Sequence, residues 1–264
     1  MTIDSLLASD MDGTVIPLDT NEKRKEEIRK FNTLIENHPN ILLAYVTGRH
    51  LELGLEGVSR FKLPFPDIFV CDVGTTIYHN KNGKWLLDKE FRSELAASWK
   101  GLSGADIAAL LNDISVLTPQ EDEKQKEFKQ SYYTPVDADR EGYCKEIIAR
   151  FKPHGIKANI IYSLGVNKDI GLLDILPPNA AKDYALNYLW KNLKLNKERI
   201  VYAGDSGNDL LAFVSGFNAI VVNNTAETVK DAARSKAREK NIEQRVYFAN
   251  GNCVQGVIEG CYHF

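Results

Sequence analysis

The chain alternates apolar runs with amphipathic stretches, and this alternation limits the possible folds more than any other sequence feature. Continuous apolar runs predict buried strands at 5–9, 41–46, 67–71, 199–203 and 219–222. Apolar residues at three- and four-residue spacing predict helices at 22–36, 51–61, 180–193 and 226–240. Strands that alternate with helices are typical of a parallel sheet covered on both faces, so we expect a Rossmann-like, doubly wound α/β core.

The middle of the chain departs from this pattern. Asn82-Gly83 is a good hairpin turn, and after it the polarity rises. The following stretch combines strand-like runs at 128–134 and 157–163 with helices at 90–99 and 138–151. We therefore predict an inserted α+β domain at 88–171, within a core made of 1–87 and 172–264.

Composition and charge exclude several classes of protein. The 33 basic and 36 acidic residues give a formal net charge of −3, which provides no basic footprint for nucleic acid or an anionic membrane. The sequence contains no run of 18 apolar residues, which a membrane span would need, and the N-terminus has no secretory pattern. The four cysteines form no C-x-x-C pair. We expect a cytoplasmic monomer or weak homo-oligomer whose partner is a small molecule.

Polar residues follow the first predicted strand, at the sheet edge where ligands bind in open parallel sheets. Asp10 and Asp12 should project the same way at a period of two. Two neighbouring carboxylates repel each other, and Mg²⁺, which prefers oxygen ligands, would compensate for this. The amides of Gly13 and Thr14 could bind phosphoryl oxygens, although Asp12-Gly13 could also be only a turn.

The second strand ends in Thr47-Gly48-Arg49. A hydroxyl, a glycine amide and a planar cation together suit a phosphoryl group, but an ordinary strand-to-helix turn fits these residues equally well. Lys182 begins a later helix, from which it could reach the phosphate and neutralise carboxylates. Most such lysines are solvated, and Lys168 is the alternative candidate.

A loop with two further carboxylates follows the strand at 199–203. Asp205 comes directly after a buried strand and Gly204, while Asn208 and Asp209 lie three and four residues further on. These oxygens could bind the same cation as Asp10. Helix capping is the alternative for Asn208 and Asp209, because both residue types are favoured caps.

These four motifs, in this order, resemble the haloacid-dehalogenase superfamily of phosphohydrolases. The insertion between the second motif and Lys182 is similar to the C2B-type cap of that family. The likeness is strongest to the group of sucrose-phosphate and mannosylfructose-phosphate phosphatases, and the stretches that carry it are 44–49, 73–75, 161–163, 173–177 and 204–209. Two features depart from the pattern. Asp183 replaces the usual glycine, and the segment 164–172 is longer than expected, which leaves the exact sugar open.

The resemblance implies an Mg²⁺-dependent phosphatase that hydrolyses a sugar phosphate. It implies that Asp10 is the nucleophile, that Asp12 is the general acid and base, and that Lys182 is the third catalytic residue. The residues implied to hold the phosphoryl group or the substrate are Thr47, Gly48, Arg49 and Asn208. The implied metal ligands are Asp10, Asp12 through its backbone carbonyl, Asp205 and Asp209.

The resemblance also implies that the inserted domain selects the sugar. Gln125 and Lys129 resemble cap positions that contact a disaccharide, and Lys129, Ser131 and Tyr133 would offer hydrogen-bond donors from one face of a strand. A solvated cap edge is the alternative interpretation. We expect a disaccharide phosphate such as sucrose 6-phosphate, with mannosylfructose phosphate or glucosylglycerol phosphate as alternatives. A phosphomutase or a non-catalytic sugar-phosphate-binding protein is the less favoured interpretation.

Overall fold

A computed structural model describes residues 3–17, 19, 22–165 and 169–264 of the chain. The chain divides into two compact units. The first unit comprises Met1–Asp88 with Lys182–Phe264, and the second comprises Lys89–Ala181. Lys168 lies outside the described residues. Within the described part of the chain, no helix is long and apolar enough to cross a membrane.

The first unit begins with alternating strands and helices, as the apolar pattern predicts. Ile28, Phe31 and Leu34 are buried on one face of the first helix, which explains why this segment forms an amphipathic helix. The Asn82-Gly83 turn is confirmed, since the strands on either side of it pair antiparallel. The elements are β1 (Ser5–Ser9), α1 (Glu22–Asn37), β2 (Ile41–Val46), α2 (Leu51–Phe61), β3 (Ile68–Cys71), β4 (Thr76–Lys81) and β5 (Lys84–Leu87).

The second unit is an α+β domain. Its four strands form an antiparallel sheet in the order β6-β7-β9-β8. Trp99 and Phe128 are buried and lie 6.3 Å apart between ring centroids. The elements are α3 (Lys89–Ser98), α4 (Gly104–Ala109), β6 (Thr118–Pro119), β7 (Gln130–Thr134), α5 (Arg140–Phe151), β8 (Asn159–Leu164) and β9 (Gly171–Leu176).

The predicted return to the core at residue 172 is wrong. β9 pairs with both β7 and β8, so it belongs to the second unit, and the first unit resumes only at Lys182. A short apolar run predicts a buried strand but does not identify the sheet that buries it, because that depends on long-range pairing.

The chain then completes the first sheet with α6 (Lys182–Leu193), β10 (Ile200–Gly204), α7 (Leu210–Phe213), β11 (Asn218–Val221), α8 (Glu227–Glu239), β12 (Val246–Phe248) and α9 (Cys253–His263). The strand order is β12-β11-β10-β1-β2-β3-β4-β5, parallel from β12 to β3. Neither β12 nor α9 was predicted from the sequence. The strand order reverses between β1 and β10, and at such a switch point the carboxyl ends of the strands open a crevice for ligands.

Candidate active site

Lys182 joins two of the sequence motifs in a buried cluster. Its Nζ lies 2.9 Å from Oδ1 of Asp10, which follows β1, and 2.7 Å from Oδ1 of Asp209. Lys182 is only 1% exposed, and both carboxylates are buried with it. The expectation that most lysines at such a position are solvated therefore does not apply here, because two buried carboxylates compensate for the desolvated ammonium.

Asp209 is hydrogen-bonded on both of its carboxylate oxygens. Oδ1 accepts from Lys182 and from the hydroxyl of Tyr202, which lies 2.5 Å away on β10. Oδ2 accepts from the backbone amides of Asp205 and Ser206, at 3.1 and 2.9 Å. Ser206 is the N-cap and Asp209 the N3 residue of a capping box, so the side chain of Asp209 supports the start of this helical segment from N3 and does not cap the following helix α7. Asp209 thus connects Lys182 to the loop that carries Asp205.

Asp205 completes a group of three converging carboxylates. Ligand atoms of Asp10, Asp205 and Asp209 all lie within 4.8 Å of one another. The hydroxyl of Thr14 donates to Oδ1 of Asp205 at 3.0 Å. Gly13 has φ +77°, and a Cβ atom built on it would lie 2.3 Å from Oδ2 of Asp205. This position therefore needs glycine both for its backbone conformation and for the space that the carboxylate occupies.

The charges of this group are unbalanced. Burial, with the nearby charges of Asp209 and Asp205, raises the pKa of Asp10 to about 8 despite the opposing effect of Lys182. Burial and Asp209 raise the pKa of Asp205 to about 6. Burial alone would lower the pKa of Lys182, but Asp10 and Asp209 hold it above its usual range. Three carboxylates share one ammonium, an arrangement that an added cation would stabilise.

Asp12 is paired with Arg49. Arg49 donates to both of its carboxylate oxygens, from Nε to Oδ2 at 2.8 Å and from Nη2 to Oδ1 at 2.6 Å. The Asp12 carboxylate is not among the three that converge in the described part of the chain. That the Asp10 and Asp12 side chains project the same way stays a prediction, and the period of two no longer supports it, because β1 ends at Ser9.

Comparison with known proteins identifies the family. A sequence model of the family described as sucrose-6F-phosphate phosphohydrolase matches residues 3–264. The chain belongs to this family. It is therefore a phosphoric monoester hydrolase, and more narrowly a sugar-phosphate phosphatase, with a haloacid-dehalogenase-like fold.

The relatives and solved structures agree with this family. A HAD-like hydrolase of Nitrosococcus oceani is 37% identical over 98% of this chain and 71% of its own length. Mannosylfructose-phosphate phosphatase of Agrobacterium fabrum is 29% identical over 98% and 96%. Sucrose-phosphatase 2 of Nicotiana tabacum is 29% identical over 98%, but this chain spans only 58% of its length. The structure of Synechocystis sucrose-phosphatase in complex with sucrose and phosphate matches with a TM-score of 0.80 at 24% identity, covering 99% and 98% of the two chains.

The remaining core candidates of this sugar-phosphate phosphatase lie at the same edge of the sheet. Thr47 is buried, and its Oγ1 accepts from the Arg49 amide at 3.2 Å. Gly48 is exposed. Asn208 is also exposed, and its Oδ1 accepts from the Ser206 hydroxyl at 2.9 Å. In addition to its two hydrogen bonds with Asp12, Arg49 donates from Nη1 to the Leu53 carbonyl.

The predicted sugar-contacting residues lie in the second unit. The Gln125 amide nitrogen donates to the carbonyls of Gln120 and Ser131, and its oxygen accepts from the Ser131 amide. Lys129 is buried, with Nζ 3.8 Å from Oδ1 of Asp174, and the Ser131 hydroxyl donates to the same oxygen at 2.6 Å. The alternative of a solvated edge is therefore wrong for Lys129.

Sequence reasoning missed two residues that support the site. Tyr202 was interpreted only as part of an apolar strand. Asn224 donates from Nδ2 to the Gly13 carbonyl at 2.8 Å and accepts from the Cys253 amide at 2.7 Å. Its position just beyond β11, at the carboxyl edge of the sheet, was a usable signal, whereas nothing in the sequence indicated where the Tyr202 hydroxyl would lie.

Proposed function

We propose that this enzyme hydrolyses a disaccharide phosphate such as sucrose 6-phosphate through an aspartyl-phosphate intermediate. The observation that carries the proposal is the buried contact of Lys182 with Asp10 and Asp209, beside Asp205. An aspartate that contacts a lysine ammonium in this way can act as nucleophile and divide one difficult displacement into two easier ones. The names of the tobacco and Agrobacterium relatives support a phosphorylated disaccharide as substrate.

The residues of the site fit Mg²⁺. The donors are carboxylate oxygens, burial and neighbouring carboxylates raise the pKa values of Asp10 and Asp205, and the missing side chain of Gly13 lets the Asp205 carboxylate lie against the backbone there. We propose that Asp10, the Asp12 carbonyl and Asp205 hold the ion. Asp209 would orient the site rather than bind the ion directly, because both of its oxygens already accept hydrogen bonds. Bound Mg²⁺ would keep Asp10 ionised and reduce the repulsion between its carboxylate and the phosphate.

The chain's own groups supply the other steps of the proposed mechanism. The Asp10 carboxylate attacks phosphorus and the bond from phosphorus to the sugar oxygen breaks, while Asp12, which enters this step protonated, gives its proton to the departing oxygen. Asp12 then takes a proton from the water that hydrolyses the aspartyl-phosphate. Thr47, the Gly48 amide and Lys182 hold the phosphoryl oxygens as negative charge develops on them.

We propose that the second unit contributes selectivity for the sugar through Gln125 and Lys129. The Gln125 amide is held against the backbone of β7, which makes it a rigid element. Lys129 offers a buried cation close to Asp174, so hydroxyl groups of a sugar would find a donor and an acceptor side by side. Contacts with the part of the substrate that does not react would then distinguish a disaccharide phosphate from a simple hexose phosphate.

A phosphate-release screen with Mg²⁺ tests this function. The panel should contain sucrose 6-phosphate, mannosylfructose phosphate, glucosylglycerol phosphate, trehalose 6-phosphate and simple hexose phosphates. We expect strong selectivity for one disaccharide phosphate. Asp10→Asn should abolish phosphate release, whereas Asp231→Asn on the exposed surface of α8 should not. Near-normal hydrolysis by Asp10→Asn would refute the assignment of the nucleophile.

Two alternatives give different results in the same screen. A phosphomutase would return the phosphate to the sugar, so an isomeric sugar phosphate would form without inorganic phosphate. A non-catalytic sensor would bind one sugar phosphate tightly and release phosphate from none. The complete set of Asp10, Asp12, Lys182 and Asp205 favours an enzyme over the non-catalytic sensor. The match to a phosphohydrolase family supports the hydrolase over the phosphomutase.

A further inference from the structure

We propose that Tyr202 is a positioning residue of this active site, which fixes Lys182 through Asp209. The inference rests on the proposed role of Lys182 in holding the phosphoryl group. It concerns a residue outside the four motifs, which lies within β10 and whose hydroxyl donates to Asp209 rather than to Asp10.

The hydroxyl of Tyr202 has a specific partner inside the protein. Tyr202 is completely buried, and its ring packs near Phe213 with centroids 6.0 Å apart. Its hydroxyl donates to Oδ1 of Asp209 over 2.5 Å. A phenol that donates to a buried carboxylate makes a strong, charge-assisted hydrogen bond. Packing alone would be satisfied by phenylalanine, so the hydroxyl has a function beyond filling the core.

Asp209 transmits this bond to Lys182. The same atom, Oδ1, accepts from the Tyr202 hydroxyl and from Nζ of Lys182, so the two donors together fix how the carboxylate is turned. Lys182 also lies 2.9 Å from Asp10. An ammonium has three donors, and holding two of them on Asp209 and Asp10 directs the third towards the phosphoryl group in the proposed mechanism.

Removal of the hydroxyl should therefore slow the reaction more than it weakens binding of the substrate. Asp209 would keep Lys182 as a partner but would turn towards it, because one of the two donors on Oδ1 is lost. A misplacement of about 1 Å in an active site can cost on the order of 10²-fold in rate. Lys182 retains both of its carboxylates, so we expect a smaller fall of about tenfold.

Tyr202→Phe and Tyr45→Phe form a matched pair for the test. Tyr45 is equally buried and lies in β2 of the same sheet, and its hydroxyl donates to the Pro64 carbonyl at 3.0 Å rather than to a carboxylate. With Mg²⁺ and the best substrate of the panel, Tyr202→Phe should lower kcat about tenfold and change KM less than twofold. Tyr45→Phe should leave both constants within twofold of wild type. Equal kcat values for the two variants, or a loss expressed mainly in KM, would overturn the proposal.

A second measurement does not depend on turnover. In protein labelled with ¹⁵N-lysine, the Lys182 side-chain signal, assigned by its loss in Lys182→Met, should shift in Tyr202→Phe and stay in place in Tyr45→Phe. An unchanged signal in Tyr202→Phe would overturn the proposal even if the enzyme proved inactive on every phosphosugar, a result that would refute the proposed function separately. If thermal unfolding shows that Tyr202→Phe does not fold, Tyr202→Met removes the same hydroxyl with a more adaptable side chain, and the same outcomes apply.

Discussion

Replacing Gly13 by alanine tests the construction of the site most directly. The new Cβ would lie 2.3 Å from Oδ2 of Asp205, where contacts below 3.0 Å essentially never occur, so the carboxylate must move by at least about 0.7 Å. The left-handed backbone adds about 1–2 kcal/mol of strain for a residue with a Cβ. Loss of the Thr14 hydrogen bond to Asp205 adds about 1.5–3 kcal/mol, as expected for a bond to a charged group.

Gly83→Ala is the control for this substitution. Gly83 has a similar φ of +81°, but a Cβ built there meets no atom within 4 Å. It should therefore lose only the backbone contribution of about 1–2 kcal/mol and keep full activity.

Denaturant unfolding, calorimetric titration with Mg²⁺ and phosphate-release kinetics should distinguish the two variants. For Gly13→Ala we expect a loss of roughly 2.5–5 kcal/mol in the free energy of unfolding, weaker Mg²⁺ binding and a fall of about 10–100-fold in kcat/KM. If Gly13→Ala bound Mg²⁺ and turned over substrate as Gly83→Ala does, the placement of Asp205 beside Gly13 would not matter for function, and the reasoning would be refuted.

Three further predictions concern the same edge of the sheet. Burial raises the pKa of Asp10 from 3.8 to about 8, so between these pH values the folded chain without Mg²⁺ holds a proton that the unfolded chain has released. The free energy of unfolding of the Mg²⁺-free protein should therefore fall as pH rises across this interval, and the increase in Tm caused by Mg²⁺ should grow. An increase in Tm that does not depend on pH would contradict the assignment of Asp10 as a metal ligand. In Arg49→Lys, the lysine cannot donate to both Asp12 oxygens in the same geometry, so kcat/KM should fall about tenfold with little change in Tm. Unchanged kinetics would show that the ion pair between residue 49 and Asp12 is dispensable. Asn224→Ala, which removes the bond to the Gly13 carbonyl, should lower the free energy of unfolding by about 1–3 kcal/mol in urea, and a loss below 0.5 kcal/mol, about half of an ordinary hydrogen bond, would argue against this support.

Local sequence patterns were enough to predict the class of fold and several residues of the candidate site. Apolar runs and helical periodicity are local properties of the sequence, and they located β1, β2, α6 and β10 to within a residue or two. The strands were recognisable because a parallel sheet is buried on both faces, so that each strand is a continuous apolar run. The carboxyl ends of parallel strands share one edge, and for this reason the sequence predicted that Asp10 and Asp205 belong to one site. Lys182 begins a helix and was added to this site only through the resemblance to the haloacid-dehalogenase superfamily.

The contacts between these groups became known only from the folded chain. It placed β9 in the second sheet, turned Asp12 towards Arg49, and brought the Tyr202 hydroxyl to Asp209. Each of these facts depends on residues that are distant in sequence or on the exact end of a strand. Local periodicity cannot specify such contacts, because they are set by which packed arrangement satisfies every buried charge and hydrogen bond at once.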